Sequence, residues 1–264
     1  MIRRIQQAVH KFVFCYYIAA DRNSFLKLLV NTKRYKRKSP EKSDNEKPVQ
    51  YHFSLNNYPK TIYLRTYSGD IAMLYEVFWQ KVYAAVINKI TDPRTIVDLG
   101  ANTGMTSLFF SQHFPQASIY AVEPDADNFE ILTENLSEEI QKGNFIPLKA
   151  AITGKDGEVY IQKKTYAYNS SVSEVAVSDS KVKAFSMHSF FHEMMIEQVD
   201  ILKIDIEGME ENVFSEETSW LKMVSVVVME CHSAAIEQLC RARLAEYGFN
   251  VMKENSLLIG DRKW

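Results

Sequence analysis

The chain has few of the residues that build cross-linked or membrane-spanning proteins. Its three cysteines, Cys15, Cys231 and Cys240, are an odd number with no metal-ligand spacing. That excludes a disulfide framework and points to reduced thiols in a cytoplasmic protein. No apolar run is long enough to span a bilayer: Phe12 to Ala20 is far too short, and no small-residue cleavage site clearly follows it. An excess of one charge is also missing. With 31 Lys and Arg against 33 Asp and Glu, the net charge of −2 gives no global reason to expect a nucleic acid partner. There is no internal repeat. What remains is an ordinary globular composition, 46% apolar and 24% charged in 264 residues. It suits one large domain with an N-terminal addition.

Residues 1–50 read as short helices followed by a basic linker that opens at Lys33-Arg34-Tyr35-Lys36-Arg37-Lys38. A solvated charge run is the simpler account of that cluster, and peripheral contact with anionic lipid is the secondary one. Residues 51–93 form a pre-core block: Thr61 to Arg65 alternates like a strand, and Ile71 to Ile90 carries apolar residues at helical spacing.

From residue 94 to 264 strands and helices alternate. Thr95 to Leu99 is short, β-branched and mostly apolar, as in a parallel strand buried on both faces. A helix from about Thr103 to His113 follows, then a strand from Ser118 to Val122 and a helix opening near Asp127. Further strands are expected at Phe145–Ile152, Val199–Ile206 and Val224–Met229, and helices at Glu210–Phe214 and Ala234–Tyr247. Glu158 to Gln162 alternates as an antiparallel strand. This order implies an α/β domain with right-handed parallel crossovers.

The chemistry concentrates at strand ends. Val97-Asp98-Leu99-Gly100-Ala101-Asn102-Thr103-Gly104 is a strand that turns through small residues into a helix. Gly100 and Gly104 permit tight turning, and the helix start offers N–H donors to a carboxylate. Asp98 is placed to accept from a ligand's ammonium group. The next strand closes with Val122-Glu123-Pro124-Asp125, where α/β folds hold a ribose diol. Both signals suit S-adenosylmethionine. A dinucleotide fits less well, because Asn102 stands where the pyrophosphate motif needs its second glycine.

Together with Leu202-Lys203-Ile204-Asp205-Ile206-Glu207-Gly208, these segments resemble the FkbM-type methyltransferases over roughly Arg65 to Gly248. The resemblance implies a doubly wound, mostly parallel seven-stranded sheet of class I (Rossmann-like) methyltransferase type, ending in a reversed hairpin at Phe249–Lys253 and Ser256–Ile259. It also implies O-methylation of a hydroxyl on a sugar, glycan or secondary metabolite. Carried over by position, Asp98, Gly100, Asn102, Gly104 and Glu123 would hold the donor, with Ala101, Pro124 and Asp125 beside them. Asp205 and Glu207 would face the reaction centre.

The residues themselves support that placement. Asp205 and Glu207 are two apart, so both reach one pocket if the strand runs on through Glu207. Glu230 and His232 close the following strand, and a histidine is the better base near neutral pH. Asp205, Glu207 and His232 are therefore the catalytic candidates. With Glu230 the same residues could make a hard-metal site, but nothing in their spacing requires one and no metal is assigned. Arg65, Ser68 and Asp70 precede the core and could line the acceptor side of the cleft, but a capped helix start, with Asp70 or Ser68 as N-cap, is the simpler account. Tyr166, Tyr168, His188 and His192 stay outside the site, since scattered aromatic residues are more often packing. The alternatives left open are a protein or amine acceptor, a dinucleotide-binding oxidoreductase and a binding module without turnover.

Overall fold

In the computed structural model of the chain, residues 2–35, 46–55, 57–162, 171–173, 181–206 and 208–262 are described. They fall into two compact units, Met1–Lys81 and Val82–Lys164 with Asn169–Trp264. The division lies inside the 51–93 block that the sequence kept whole. The single helix expected over Ile71–Ile90 is interrupted there, because Lys81 adopts a left-handed backbone (φ 54°) that ends a π-helical turn, Tyr75–Gln80.

The first unit holds helices α1 (Ile2–Ile18) and α2 (Arg22–Arg34), a hairpin of β1 (Val49–Leu55) and β2 (Tyr58–Leu64), and the short α3 (Asp70–Leu74). Asp21 starts α2 by accepting the Ser24 N–H at 2.8 Å. Strand β1 was not expected. Its alternation is nonetheless plain, with Tyr51, Phe53 and Leu55 buried.

The second unit opens with α4 (Ala84–Ile87) and the strands β3 (Thr95–Leu99), β4 (Ser118–Val122) and β5 (Phe145–Leu148). Helices α5 (Met105–His113), α6 (Ala126–Asn135) and α7 (Ser137–Lys142) lie between them in sequence. A four-stranded sheet comes next: β6 (Ala151–Ile152), β7 (Gly157–Gln162), β8 (Ser171–Ser173) and β9 (Lys181–Phe185), in the order β6-β9-β7-β8. The third strand expected at Phe145–Ile152 is thus two strands in different sheets.

After α8 (Met187–Glu193), the chain continues with β10 (Val199–Ile204), α9 (Glu210–Ser215), β11 (Val224–Glu230), α10 (Ala234–Glu246), β12 (Asn250–Glu254) and β13 (Leu257–Asp261). The main sheet has the order β12-β13-β11-β10-β3-β4-β5, parallel except at β13. Seven strands and the doubly wound α/β class are as expected. The final hairpin is corrected in one respect: only β13 is reversed, because β12 pairs antiparallel to it and so returns to the common direction. Strands β3, β10 and β11 are buried almost throughout, which explains why they are mostly Val, Ile and Leu.

Candidate active site at the carboxyl edge of the sheet

Ligands in open α/β sheets bind beyond the carboxyl ends of the strands. At that edge the chain places Asp98, Glu123, Asp205, Glu230 and His232.

The turn after β3 is satisfied from within. Gly100 and Ala101 both donate their N–H to the Val122 carbonyl, at 2.9 and 3.0 Å. Asn102, left-handed at φ 50°, donates its N–H to Glu123 Oε2 at 2.8 Å and accepts the Thr103 N–H on its own Oδ1. Glycine is required at 100 for a reason internal to the protein: at φ +74° a Cβ would lie 1.8 Å from the Asp205 carbonyl oxygen. At Gly104 a Cβ would press on Leu136 at 2.7 Å. Close packing inside the protein, on the Asp205 carbonyl at 100 and on Leu136 at 104, is enough to require both glycines.

Asp98 is likewise internal. It is fully buried, its register partner on β10 is Lys203, and Lys203 Nζ lies 3.0 Å from its Oδ1. Ser107 Oγ donates to Oδ2 at 2.7 Å. Lys203 Nζ also donates to the carbonyls of Leu99 (3.2 Å) and Gly100 (2.7 Å). Burial disfavours a lysine cation, but the carboxylates of Asp98 and Asp205 reverse that and raise its pKa. The ammonium that Asp98 meets is therefore the protein's own, and the expected ligand contact is replaced by a brace between β3 and β10.

Glu123 directly follows β4 with 5% exposure, and its Oε1 accepts the Asp125 N–H at 2.9 Å. Burial pushes its pKa up to about 7 despite the amides that favour the charged form. Pro124 is half-buried. Asp125 is the N-cap of α6, accepting from the Asp127 and Asn128 N–H groups at 3.0 Å, so that helix begins two residues before the position expected.

S-adenosylmethionine presents a carboxylate, a ribose diol and a sulfonium to whatever holds it. The residues present fit such a group. No side chain caps α5, so its first-turn amides would meet a ligand carboxylate without competition from a cap. Thr103 Oγ1 is buried with no hydrogen-bond partner among the described residues, and Glu123 Oε2 accepts only the Asn102 N–H there.

The second half of the site lies at the ends of β10 and β11. Strand β10 stops at Ile204, so the same-face argument for Asp205 and Glu207 does not hold; the chain turns through Gly208 at φ +93°. Asp205 still docks on β3 through its N–H to the Leu99 carbonyl at 3.0 Å. Glu207 lies outside the described residues. Asp205, Glu230 and His232 come together, with one donor atom from each within 4.8 Å of the others. Asp205 Oδ1 is buried without a hydrogen-bond partner among the described residues, 3.9 Å from His232 Nε2, while Oδ2 lies 3.8 Å from Lys203 Nζ. Burial, and then the charge of Asp205, raise the pKa of Glu230.

One residue of this constellation was not anticipated. Glu210, the first residue of α9, has 0% exposure; its Oε1 lies 3.0 Å from His232 Nδ1 and its Oε2 accepts the Gly208 N–H at 2.9 Å. In the sequence it reads as a first-turn acid, and its only mark is that it follows the Ile-Asp-Ile-Glu-Gly run. Arg65, Ser68 and Asp70 belong to the first unit. Arg65 and Asp70 form a buried bidentate pair at 2.9 and 3.0 Å, and the N-cap of α3 is Gly69. His188 pairs with exposed Glu217, and Tyr166 and Tyr168 lie outside the described residues.

Comparison with known proteins agrees with this geometry. The Methyltransferase FkbM domain matches residues 98–251, more than half of the chain. The chain is 23% identical over 189 residues to the hexuronic acid methyltransferase AglP of Haloferax volcanii, covering 70% of this chain and 77% of that protein. It is 24% identical over 215 residues to the methyltransferase sdnD of Sordaria araneosa, covering 69% and 82%. The crystal structure of the methyltransferase FkbM from Methylobacillus flagellatus KT shares the fold, with a TM-score of 0.51 at 11% identity over 98% of this chain and 60% of that one. The dinucleotide-binding oxidoreductase alternative falls away, and the chain belongs to the FkbM family of S-adenosylmethionine-dependent methyltransferases.

Proposed function

We propose that the protein transfers a methyl group from S-adenosylmethionine to a hydroxyl oxygen of a sugar, glycan or related secondary metabolite. The carrying observation is the His232 imidazole, whose Nδ1 lies 3.0 Å from a fully buried carboxylate and whose Nε2 points to the unsatisfied Asp205 Oδ1. A hydroxyl is a weak nucleophile that must lose its proton during attack, and an oriented neutral imidazole is suited to take it. The activity of AglP on a hexuronic acid supports a sugar as the acceptor class.

The donor supplies a methyl group on a good leaving sulfur, so the protein has chiefly to position the acceptor. The α5 start and the turn from Gly100 to Gly104 hold its amino-acid end, and Glu123 its ribose. Asp205 accepts a hydrogen bond from the acceptor hydroxyl and orients it. His232 Nε2 receives the proton. Glu210 fixes the tautomer, with its carboxylate on Nδ1–H, and is a positioning residue. Lys203 already sets a cation 3.8 Å from Asp205. That favours proton transfer over a divalent metal at the same carboxylate, and turnover should survive a chelator.

The test is calorimetry with S-adenosylhomocysteine, together with turnover on a panel of uronic acids, neutral sugars and amines. His232→Ala should keep donor affinity and lower turnover on the preferred hydroxyl acceptor about 100-fold or more. Transfer to amines alone, or unchanged turnover in the variant, would refute the reading.

A further inference from the structure

We propose that the helical pair α1 and α2 is a docking surface for anionic lipid, with α1 lying in the plane of the membrane interface. The inference concerns the first unit alone and does not depend on the nature of the methyl acceptor.

Helix α1 is apolar on two faces. One, through Cys15 and Ile18, is buried in its own unit. The other carries Val9, Phe12, Val13, Tyr16 and Tyr17, which follow the i, i+3, i+4, i+7, i+8 spacing of a single stripe and are 41–74% exposed. Helix α2 extends the stripe with Leu26 and Val30, both about half exposed. The two helices are joined by Phe25, whose ring meets Phe12 edge-on at 5.4 Å and Tyr16 at 5.8 Å. Of the large apolar side chains exposed among the described residues, seven of ten lie on these two helices. Such a concentration marks an interaction surface, whereas singly scattered exposed residues do not.

Charge identifies the partner. The first 38 residues hold 10 of the 31 Lys and Arg but 1 of the 33 Asp and Glu, a net charge of +9 that leaves −11 on the remainder. Lys33 and Arg34, in the last turn of α2, are both exposed one turn beyond Val30. Aromatic and aliphatic side chains flanked by cations match a layer of acyl chains under anionic headgroups. No described helix is long and apolar enough to cross a membrane, so α1 lies on it. Tyrosine suits that depth, with an apolar ring and a hydroxyl that reaches water.

The test is flotation of the full chain with phosphatidylcholine vesicles, with and without phosphatidylglycerol. The chain should float only with the anionic vesicles and be released by salt. Tyr16→Ser with Tyr17→Ser should abolish flotation while circular dichroism and S-adenosylhomocysteine affinity stay unchanged, since both side chains are exposed. Lys33→Gln with Arg34→Gln should weaken binding about 25-fold, at about fivefold for each basic residue. Absence of flotation, or equal binding to both vesicles, would overturn the proposal. So would a dimer in light scattering that the tyrosine variant dissolves, because the stripe would then be a contact between copies.

Discussion

The turn after β3 and the ends of β10 and β11 meet at one edge of the sheet, but one is braced chiefly through its main chain and a buried ion pair and the other gathers ionisable side chains. In the turn the main chain is tied down inside the protein, Gly100 and Ala101 on Val122 and Asn102 on Glu123, and Asp98 is held by the Lys203 ion pair and Ser107, while the buried Thr103 Oγ1 has no hydrogen-bond partner among the described residues. At the ends of β10 and β11, Asp205 keeps a buried oxygen without a hydrogen bond among the described residues, and His232 stands with one nitrogen fixed by Glu210. A donor that any member of the fold can bind needs a wall of fixed shape. Chemistry needs ionisable groups that can exchange a proton with an acceptor. The two sides are joined by Lys203, which touches both Asp98 and Asp205, and by Gly100, which packs on the Asp205 carbonyl.

The sharpest way to break this contrast is to remove the shared brace. Lys203→Met leaves Asp98 charged and buried without its cation, and should lower unfolding stability by about 3–5 kcal/mol in chemical denaturation. Pairing it with Asp98→Leu should restore much of that loss, since the cost is an uncompensated charge rather than a missing attraction.

Gly100→Ala attacks the same junction through sterics, with a left-handed backbone and a Cβ driven into the Asp205 carbonyl. A loss of about 2–3 kcal/mol is expected, visible as a lowered melting temperature. Because Asp205 must shift to admit the methyl group, turnover should fall even where the variant is folded.

Glu210→Gln sharpens the other side. The amide can still meet His232 but no longer fixes which nitrogen carries the proton, so kcat should fall about tenfold or more with KM for the donor unchanged. The pH–rate profile should shift as well, which loss of packing alone would not produce.

The smallest effect is on donor binding. Glu123 has its pKa raised to about 7 by burial. Its folded value lies above its unfolded one, so its contribution to stability is full below the usual carboxylate range near 4.3 and is lost as pH rises towards 7. The ribose hydroxyls require the charged form as acceptor, so binding releases a proton. S-adenosylhomocysteine affinity should therefore rise about tenfold between pH 6 and 8, and Glu123→Gln should flatten that slope.

Much of this arrangement was readable beforehand because it depends on local pattern. The apolar runs of β3, β10 and β11, the small residues after Leu99 and the acids at the strand ends all report a parallel sheet and its binding edge without knowledge of contacts. The misreadings have a common source in contacts made at long range. Asp98 looked ligand-facing because its partner Lys203 is 105 positions away and aligned only by strand register. Glu210 looked like an ordinary first-turn acid until α9 placed it beneath His232. Lys81 gives no sequence sign of the left-handed turn that splits the expected helix in two.

What the sequence determined by itself was the alternation of strands and helices that builds the main sheet, the tight turn after Leu99 and the family to which they belong, since periodicity and short motifs are properties of neighbouring residues. Which charges are buried together, which carboxylate keeps an unpaired oxygen and which nitrogen of His232 is held were decided only when β3, β10 and β11 came into register. Burial and pairing join residues that are remote along the chain, so no local pattern records them.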